Sequence, residues 1–235
     1  MAIFVLVHGA WSGSAGYNEI TRKLRAKGHD VYAPSLTGLG DRVHLLDSSI
    51  DLSLHIKDIT TVFDYEGLKD VVLVGHSYGG MVITGVSAVC ADRIRSLVYL
   101  DAFLPDNGQS LFDLQPKEGR ENFVNMQRDT PGLVPPRFGP PPENANQPAP
   151  PPRLLGFHPL LTLTEPVKLD GSEKRIKNRT YILANKPPAP FQRFYDKVKA
   201  MNDPAWKLAT LATGHVVMVE DPDGLTALLL AELSR

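Results

Sequence analysis

Short apolar runs alternate along the chain with stretches whose apolar positions recur every three or four residues. Ile3 to Val7, Val71 to Val74, Leu97 to Leu100, Thr180 to Ala184 and Trp206 to Leu211 read as strands, and Val31 to Leu36 as a further short one. The near-continuous apolar character of Ile3–Val7 and Val71–Val74 is that of strands covered on both faces. Between them, Tyr17, Ile20 and Leu24 repeat at helical spacing before Gly28. Leu52, Ile56, Ile59 and Phe63 do so before Gly67, and Met81, Val82, Gly85, Val86 and Val89 form a third stripe. A helix over Phe191 to Met201 and a last one carrying Leu225, Leu228, Leu229 and Leu233 complete the series. Asp221-Pro222 supplies the last helix with a cap and a first-turn proline. Strand and helix in strict alternation predict an α/β domain, a mostly parallel sheet of about six strands with helices on both faces.

The alternation fails between about Phe103 and Asp170. Half of the chain's 20 prolines fall between Pro131 and Pro152. Proline removes a donor and fixes φ, so this stretch is neither a central strand nor a long helix. Such composition is also that of a disordered linker. Phe112, Phe123, Phe138, Leu154, Leu155 and Phe157 flank it, however. The expectation is therefore a core made of 1–102 and 171–235, with 103–170 inserted as a lid that contains a proline-rich loop.

Length and charge narrow the partners. A chain of 235 residues, 43% hydrophobic, suits one α/β domain with an insertion. Its 25 basic and 26 acidic residues leave a formal net charge of -1 without long runs of one sign. That balance offers no electrostatic footprint for nucleic acid or an anionic membrane, so a small molecule is the expected partner. The single cysteine, Cys90, lies late in a helical pattern and reads as a small buried apolar residue. Met1 to Val7 lacks a basic leader and runs straight into His8-Gly9, which favours a strand over a signal peptide and makes the cytoplasm the default location.

Gly75-His76-Ser77-Tyr78-Gly79 is a Gly-x-Ser-x-Gly sequence between the strongest strand signal and a helix, and that context gives it weight. A serine on so sharp a turn is lifted above the sheet, and the Tyr78 amide at the helix start faces developing negative charge. A structural turn is the plainer alternative. A serine hydroxyl needs a base. Of the seven histidines, His8 and His76 belong to backbone-shaping motifs, while His29, His44, His55 and His158 have no helpful sequence neighbours. His215 follows the last strand, in Thr213-Gly214-His215-Val216, where a loop reaches the crevice at the carboxyl ends of a parallel sheet. Metal-ligand motifs such as His-Glu-x-x-His or paired Cys-x-x-Cys do not occur. A Gly-x-Gly-x-x-Gly after the first strand is also missing, so neither a metal nor a nucleotide cofactor is called for.

His8-Gly9-Ala10-Trp11, Gly75 to Gly80 and Gly214-His215 resemble the α/β-hydrolase superfamily. The likeness is greatest to its branch of plant methylesterases, hydroxynitrile lyases and bacterial esterases. The resemblance implies the α/β-hydrolase fold and backbone oxyanion donors at Ala10 and Tyr78. In most members an acid follows the penultimate strand. Here that strand runs into Asn185-Lys186-Pro187-Pro188, which has no carboxylate. Some members, certain haloalkane dehalogenases among them, take the acid one strand earlier, and Asp101 matches that alternative; a turn cap is its bland reading.

The resemblance thus points to a serine esterase acting on a small, moderately hydrophobic carboxylic ester, with Ser77, His215 and Asp101 as a triad. Trp11, Tyr78, Phe103, Phe157 and Val216 are expected to line the pocket, although each is also compatible with ordinary core. A hydroxynitrile lyase is the sharper rival, but that branch carries lysine directly after the histidine, where Val216 stands. Amide or carbon–carbon hydrolysis on the same triad, and a non-catalytic binding protein on this fold, remain open. Aromatics on a lid are compatible with a homodimer.

Overall fold

Residues 1–126, 130–136 and 156–234 are described by the computed structural model. The apolar runs form β1 (Ile3–Val7), β2 (Asp30–Tyr32), β3 (Val71–His76) and β4 (Ile94–Leu100), with α1 (Asn18–Ala26), α2 (Leu52–Tyr65) and α3 (Gly79–Val89) between them. The insertion follows, with α4 (Lys117–Asn125), β5 (Leu133–Val134), β6 (His158–Pro159) and α5 (Leu161–Thr164). The chain then returns to the sheet through β7 (Asn178–Ala184), α6 (Gln192–Met201), β8 (Trp206–Leu211), α7 (Val217–Glu220) and α8 (Pro222–Ala231).

Six strands lie in the order β2-β1-β3-β4-β7-β8, every neighbouring pair parallel. The strand alternation sorts side chains onto two cores. Val5, Val7, Leu73, Leu97, Tyr99 and Tyr181 face the helices α2, α3 and α6. Phe4, Leu6, Val72, Val74, Val98 and Ile182 face α1, α7 and α8. All six residues of β3 are buried, so the strand that carries Gly-x-Ser-x-Gly is the most enclosed part of the sheet. Helix ends follow local chemistry: Asp51 caps α2 by accepting from Leu54 N at 2.8 Å, and Asp221 caps α8 by accepting from Gly224 N at 2.8 Å.

Two expectations need correction. The second strand stops at Tyr32 instead of running to Leu36. Pro34 has no amide for a ladder, and the Leu36 amide is taken by His8 Nε2 at 3.0 Å, so the chain turns away from β1. In α2 the fully buried stripe is Leu52, His55, Ile59 and Phe63: His55 joins it, and Ile56 packs against the core while only partly buried.

The insertion lies between β4 and β7, and among the described residues it adds no strand to the main sheet. Its own two-stranded sheet pairs β5 with β6 antiparallel, Val134 opposite His158. Phe138, Leu154, Leu155 and most of the proline-rich stretch fall outside the described residues. Among the described residues, no helix is long and apolar enough to cross a membrane.

Candidate active site

Left-handed backbone recurs in the loops that follow three neighbouring strands: Trp11 (φ 56°) after β1, Ser77 (φ 54°) after β3 and Asp101 (φ 43°) after β4. These strands are adjacent, so the three turns stand side by side at the carboxyl edge. Such backbone costs roughly 1–3 kcal/mol per residue and persists only where the surroundings hold it, a condition met most often at functional sites.

At the Ser77 turn, only Ser77 and Tyr78 separate β3 from α3. A Cβ on Gly75 would lie 2.5 Å from Gly79 O, and one on Gly79 would lie 2.6 Å from Val7 O, so neither position tolerates a side chain. Ser77 N donates to Leu100 O at 3.3 Å, and Ser77 O accepts from Gly80 N at 3.0 Å and Phe103 N at 3.1 Å. The turn is thereby tied to both α3 and the chain leaving β4. The Gly9 backbone packs directly against Ser77 Cβ, which brings the His8-Gly9-Ala10 segment to the same spot.

Asp101 is fully buried, and its carboxylate is divided between two partners. Oδ1 accepts from Ala184 N at 3.1 Å, and Oδ2 lies 2.6 Å from His215 Nδ1. The turn behind it is clamped by Tyr181, whose hydroxyl donates to Ala102 O at 2.6 Å and accepts from Ala102 N at 3.2 Å. Hydrogen bonds to a charged group such as the Asp101 carboxylate contribute about 1.5–3 kcal/mol each. The bland reading, a carboxylate serving only its own turn, does not describe Asp101, because it reaches from β4 across the end of β7 to the loop after β8.

His215 is held on every side. Its side chain is 26% exposed, and its ring stacks on Phe191 at 4.9 Å with an interplanar angle of 5°. The ring of His76 lies 4.5 Å away, and His76 Nε2 donates to the carbonyl of His215 at 2.8 Å. The loop is closed behind by Glu220, which accepts from Gly214 N at 2.9 Å. Among the described residues, then, His215 is joined to Ser77 through its neighbour His76 and not by a direct hydrogen bond. In ligand-free hydrolases the serine–histidine contact is often long and tightens when substrate binds.

The other histidines near the turn are buried and neutral. His8 Nδ1 donates to Gly9 O at 2.8 Å while Nε2 accepts from Leu36, and burial lowers its pKa to about 4. Burial pushes His76 well below its ordinary value. His55 and His158, for which the sequence offered no partners, meet around Tyr78. The Tyr78 hydroxyl is 2.9 Å from His55 Nδ1, and His55 Nε2 donates to Thr37 O at 2.9 Å. The rings of Tyr78 and His158 are 4.9 Å apart. Burial lowers His55 and His158 and raises the Tyr78 phenol. The missed signal was the place of His55 on an apolar helix stripe, since a histidine there must find buried partners. Nothing in the sequence marked Phe191 or His158.

The expected pocket residues fall in different settings. Trp11 is 9% exposed, stacks on Phe123 at 6.5 Å and is tied to the insertion through its indole. Phe103 is also nearly buried, edge-on to Phe191 at 5.0 Å and Phe194 at 5.6 Å. Phe157 is half-buried, and Val216, directly after His215, is 48% exposed.

Residues 4–228 match the model described as the alpha/beta hydrolase family. The chain is 41% identical to the carbendazim hydrolyzing esterase of Nocardioides sp. (strain SG-4G), over 98% of this chain and 99% of that protein. It is 32% identical to methylesterase 4 of Arabidopsis thaliana over 49% of this chain and 48% of that one, which agrees with the branch its motifs resemble. Among solved structures it superposes on an extracellular alpha/beta-hydrolase from a Paenibacillus species with a TM-score of 0.81. The identity there is 23%, over 99% of each chain.

Proposed function

The chain belongs to the alpha/beta hydrolase family and is an esterase, and from this we propose that Ser77, His215 and Asp101 form its catalytic triad, with the amides of Ala10 and Tyr78 as the oxyanion pocket. The observation that carries the reading is the 2.6 Å contact between the buried Asp101 carboxylate and His215 Nδ1. With Nδ1–H donating to Asp101, His215 presents Nε2 as a free base. Ser77 attacks the ester carbonyl as Nε2 takes its proton. The oxygen that becomes negative is met by the two amides, a contact class worth about 3 kcal/mol per donor. The imidazolium, stabilised by Asp101 and by the face of Phe191, protonates the leaving alcohol; the acyl group remains on Ser77. Water, activated by the same nitrogen, then releases the acid. No metal or cofactor enters any step.

The substrate we propose is a small, moderately hydrophobic ester. Nearly buried Trp11 and Phe103 beside the Ser77 turn and half-exposed Val216 beside His215 support an apolar approach. Segment 103–170 serves as the lid, a role supported by Phe123 and His158 packing on Trp11. Carbendazim, named for the 41% identical relative, belongs in the substrate panel beside aryl esters.

The test is p-nitrophenyl acetate hydrolysis by Ser77→Ala. The proposal expects turnover to fall by about 10⁴-fold or more while the circular dichroism and melting profile stay those of the parent. Turnover retained in a folded Ser77→Ala protein removes this serine from the chemistry.

A further inference from the structure

We propose that His158, contributed by the insertion, is a positioning residue for the oxyanion pocket: it holds Trp11, and through Trp11 the neighbouring Ala10 amide, in place. The inference rests on the serine-esterase reading above and deepens it. A lid in the ordinary sense covers a finished site; here the insertion completes the site.

Trp11 has two N–H groups, and the β5–β6 pair takes both. The main-chain N–H donates to His158 Nδ1 at 3.4 Å, and indole Nε1 donates to Val134 O at 3.0 Å. Val134 and His158 are register partners on β5 and β6, so one two-stranded unit grips the residue at both handles. This matters because the left-handed backbone of Trp11 is not self-sustaining for a residue with a large side chain. The peptide unit held by His158 is the one that follows Ala10, and its orientation fixes where the Ala10 segment lies.

The tautomer of His158 is set within the insertion. His158 Nε2 is 2.8 Å from Thr162 Oγ1, and that hydroxyl already donates to Pro159 O at 2.7 Å. The nitrogen must therefore donate, which leaves Nδ1 as the acceptor that Trp11 requires. The ring is fully buried and packs against Trp11 at 5.4 Å, Tyr78 at 4.9 Å and His55 at 6.2 Å. His158 therefore touches the residue beside one proposed oxyanion donor and the side chain of the other. Neither contact is with a reacting atom.

Two substitutions separate positioning from mere packing. Asparagine carries its amide oxygen where Nδ1 sits, whereas glutamine carries its polar atoms at the depth of Nε2. In p-nitrophenyl acetate hydrolysis, His158→Asn is expected to stay within about threefold of the parent kcat. His158→Gln is expected to lose about 10- to 100-fold in kcat with KM changed less than about threefold, since a displaced oxyanion donor is felt in the transition state and not in ground-state binding. Parent-like kcat in His158→Gln overturns the proposal. So does an equal fall in both variants that tracks their loss of melting temperature. Should His158→Gln fail to fold, His158→Leu carries the test: side-chain bulk stays, the acceptor for Trp11 N goes, and kcat is expected to drop about threefold or more at constant KM. An unchanged kcat there overturns the proposal. Ser77→Ala is assayed alongside. Parent-like turnover in it removes the serine reading and this inference together, whereas a Ser77→Ala reduced about 10⁴-fold beside a fully active His158→Gln removes only the inference.

Discussion

Histidines stand on both sides of the Ser77 turn in opposite settings. On one side His215 is partly open to solvent and faces a fully buried carboxylate at 2.6 Å. On the other, His55 and His158 are sealed from solvent, partnered by a phenol, a hydroxyl and backbone groups, and pushed by burial toward the neutral form. The same side chain is thus used for two kinds of work. Beside Asp101 the ring meets a buried carboxylate through Nδ1 while remaining partly open to solvent. Beneath Tyr78 burial favours the neutral ring, and its two nitrogens serve as one donor and one acceptor. What separates the two settings is the neighbouring carboxylate and the access to solvent.

The strongest way to break this contrast is to remove the charge. Asp101→Asn keeps the shape of the side chain but turns an acceptor into a group that can present N–H to His215, favouring the wrong tautomer. It is expected to lower kcat for p-nitrophenyl acetate by about 10⁴-fold, about 5 kcal/mol of transition-state stabilisation. A kcat within tenfold of the parent would make the two histidine settings chemically equivalent.

Acid sharpens the contrast from the other side. The folded state holds His8 at about 4, against 6.5 for the free side chain, and His55, His76 and His158 are displaced in the same direction. As pH falls below about 6.5 the unfolded chain takes up protons that the folded chain refuses. The stability these neutral rings contribute is therefore complete above about 6.5 and is lost on the way down to the folded values. For His8 alone the loss is about 3 kcal/mol between pH 6.5 and 4. Urea midpoints measured at pH 7.5 and pH 5 are expected to fall on acidification, and a midpoint independent of pH in that range would contradict the buried neutral assignment. The smallest effect concerns Tyr78→Phe, which strands His55 Nδ1 and is expected to cost about 1–3 kcal/mol of stability. Because the backbone amide of residue 78 remains, kcat is expected to change by less than about threefold. A large loss of kcat would show that the phenol does more than anchor the turn.

The division between what the chain announces and what it conceals follows from the range of the interactions. The parallel sheet was readable because buried strands are written as apolar runs and the covering helices as stripes, both local patterns. Ser77 was readable because its turn demands Gly75 and Gly79 within the same few residues. The position of Asp101 was readable only through family likeness, since its partners Ala184 and His215 are far along the chain. His158 was not readable at all. Its partner Trp11 lies 147 residues away, and no local pattern marks a histidine whose use is to accept one distant amide. The short β2 is an intermediate case: Pro34 was visible, but the capture of the Leu36 amide by His8 was not.

The proposed chemistry requires above all that Ser77 be the nucleophile and that His215 activate it. Intact-mass analysis after brief treatment with a fluorophosphonate, followed by peptide mapping, tests this directly. One adduct per chain is expected, on the peptide that contains Ser77, forming far more slowly in His215→Ala. An unlabelled parent protein, an adduct on another residue, or equal labelling rates with and without the imidazole would contradict it.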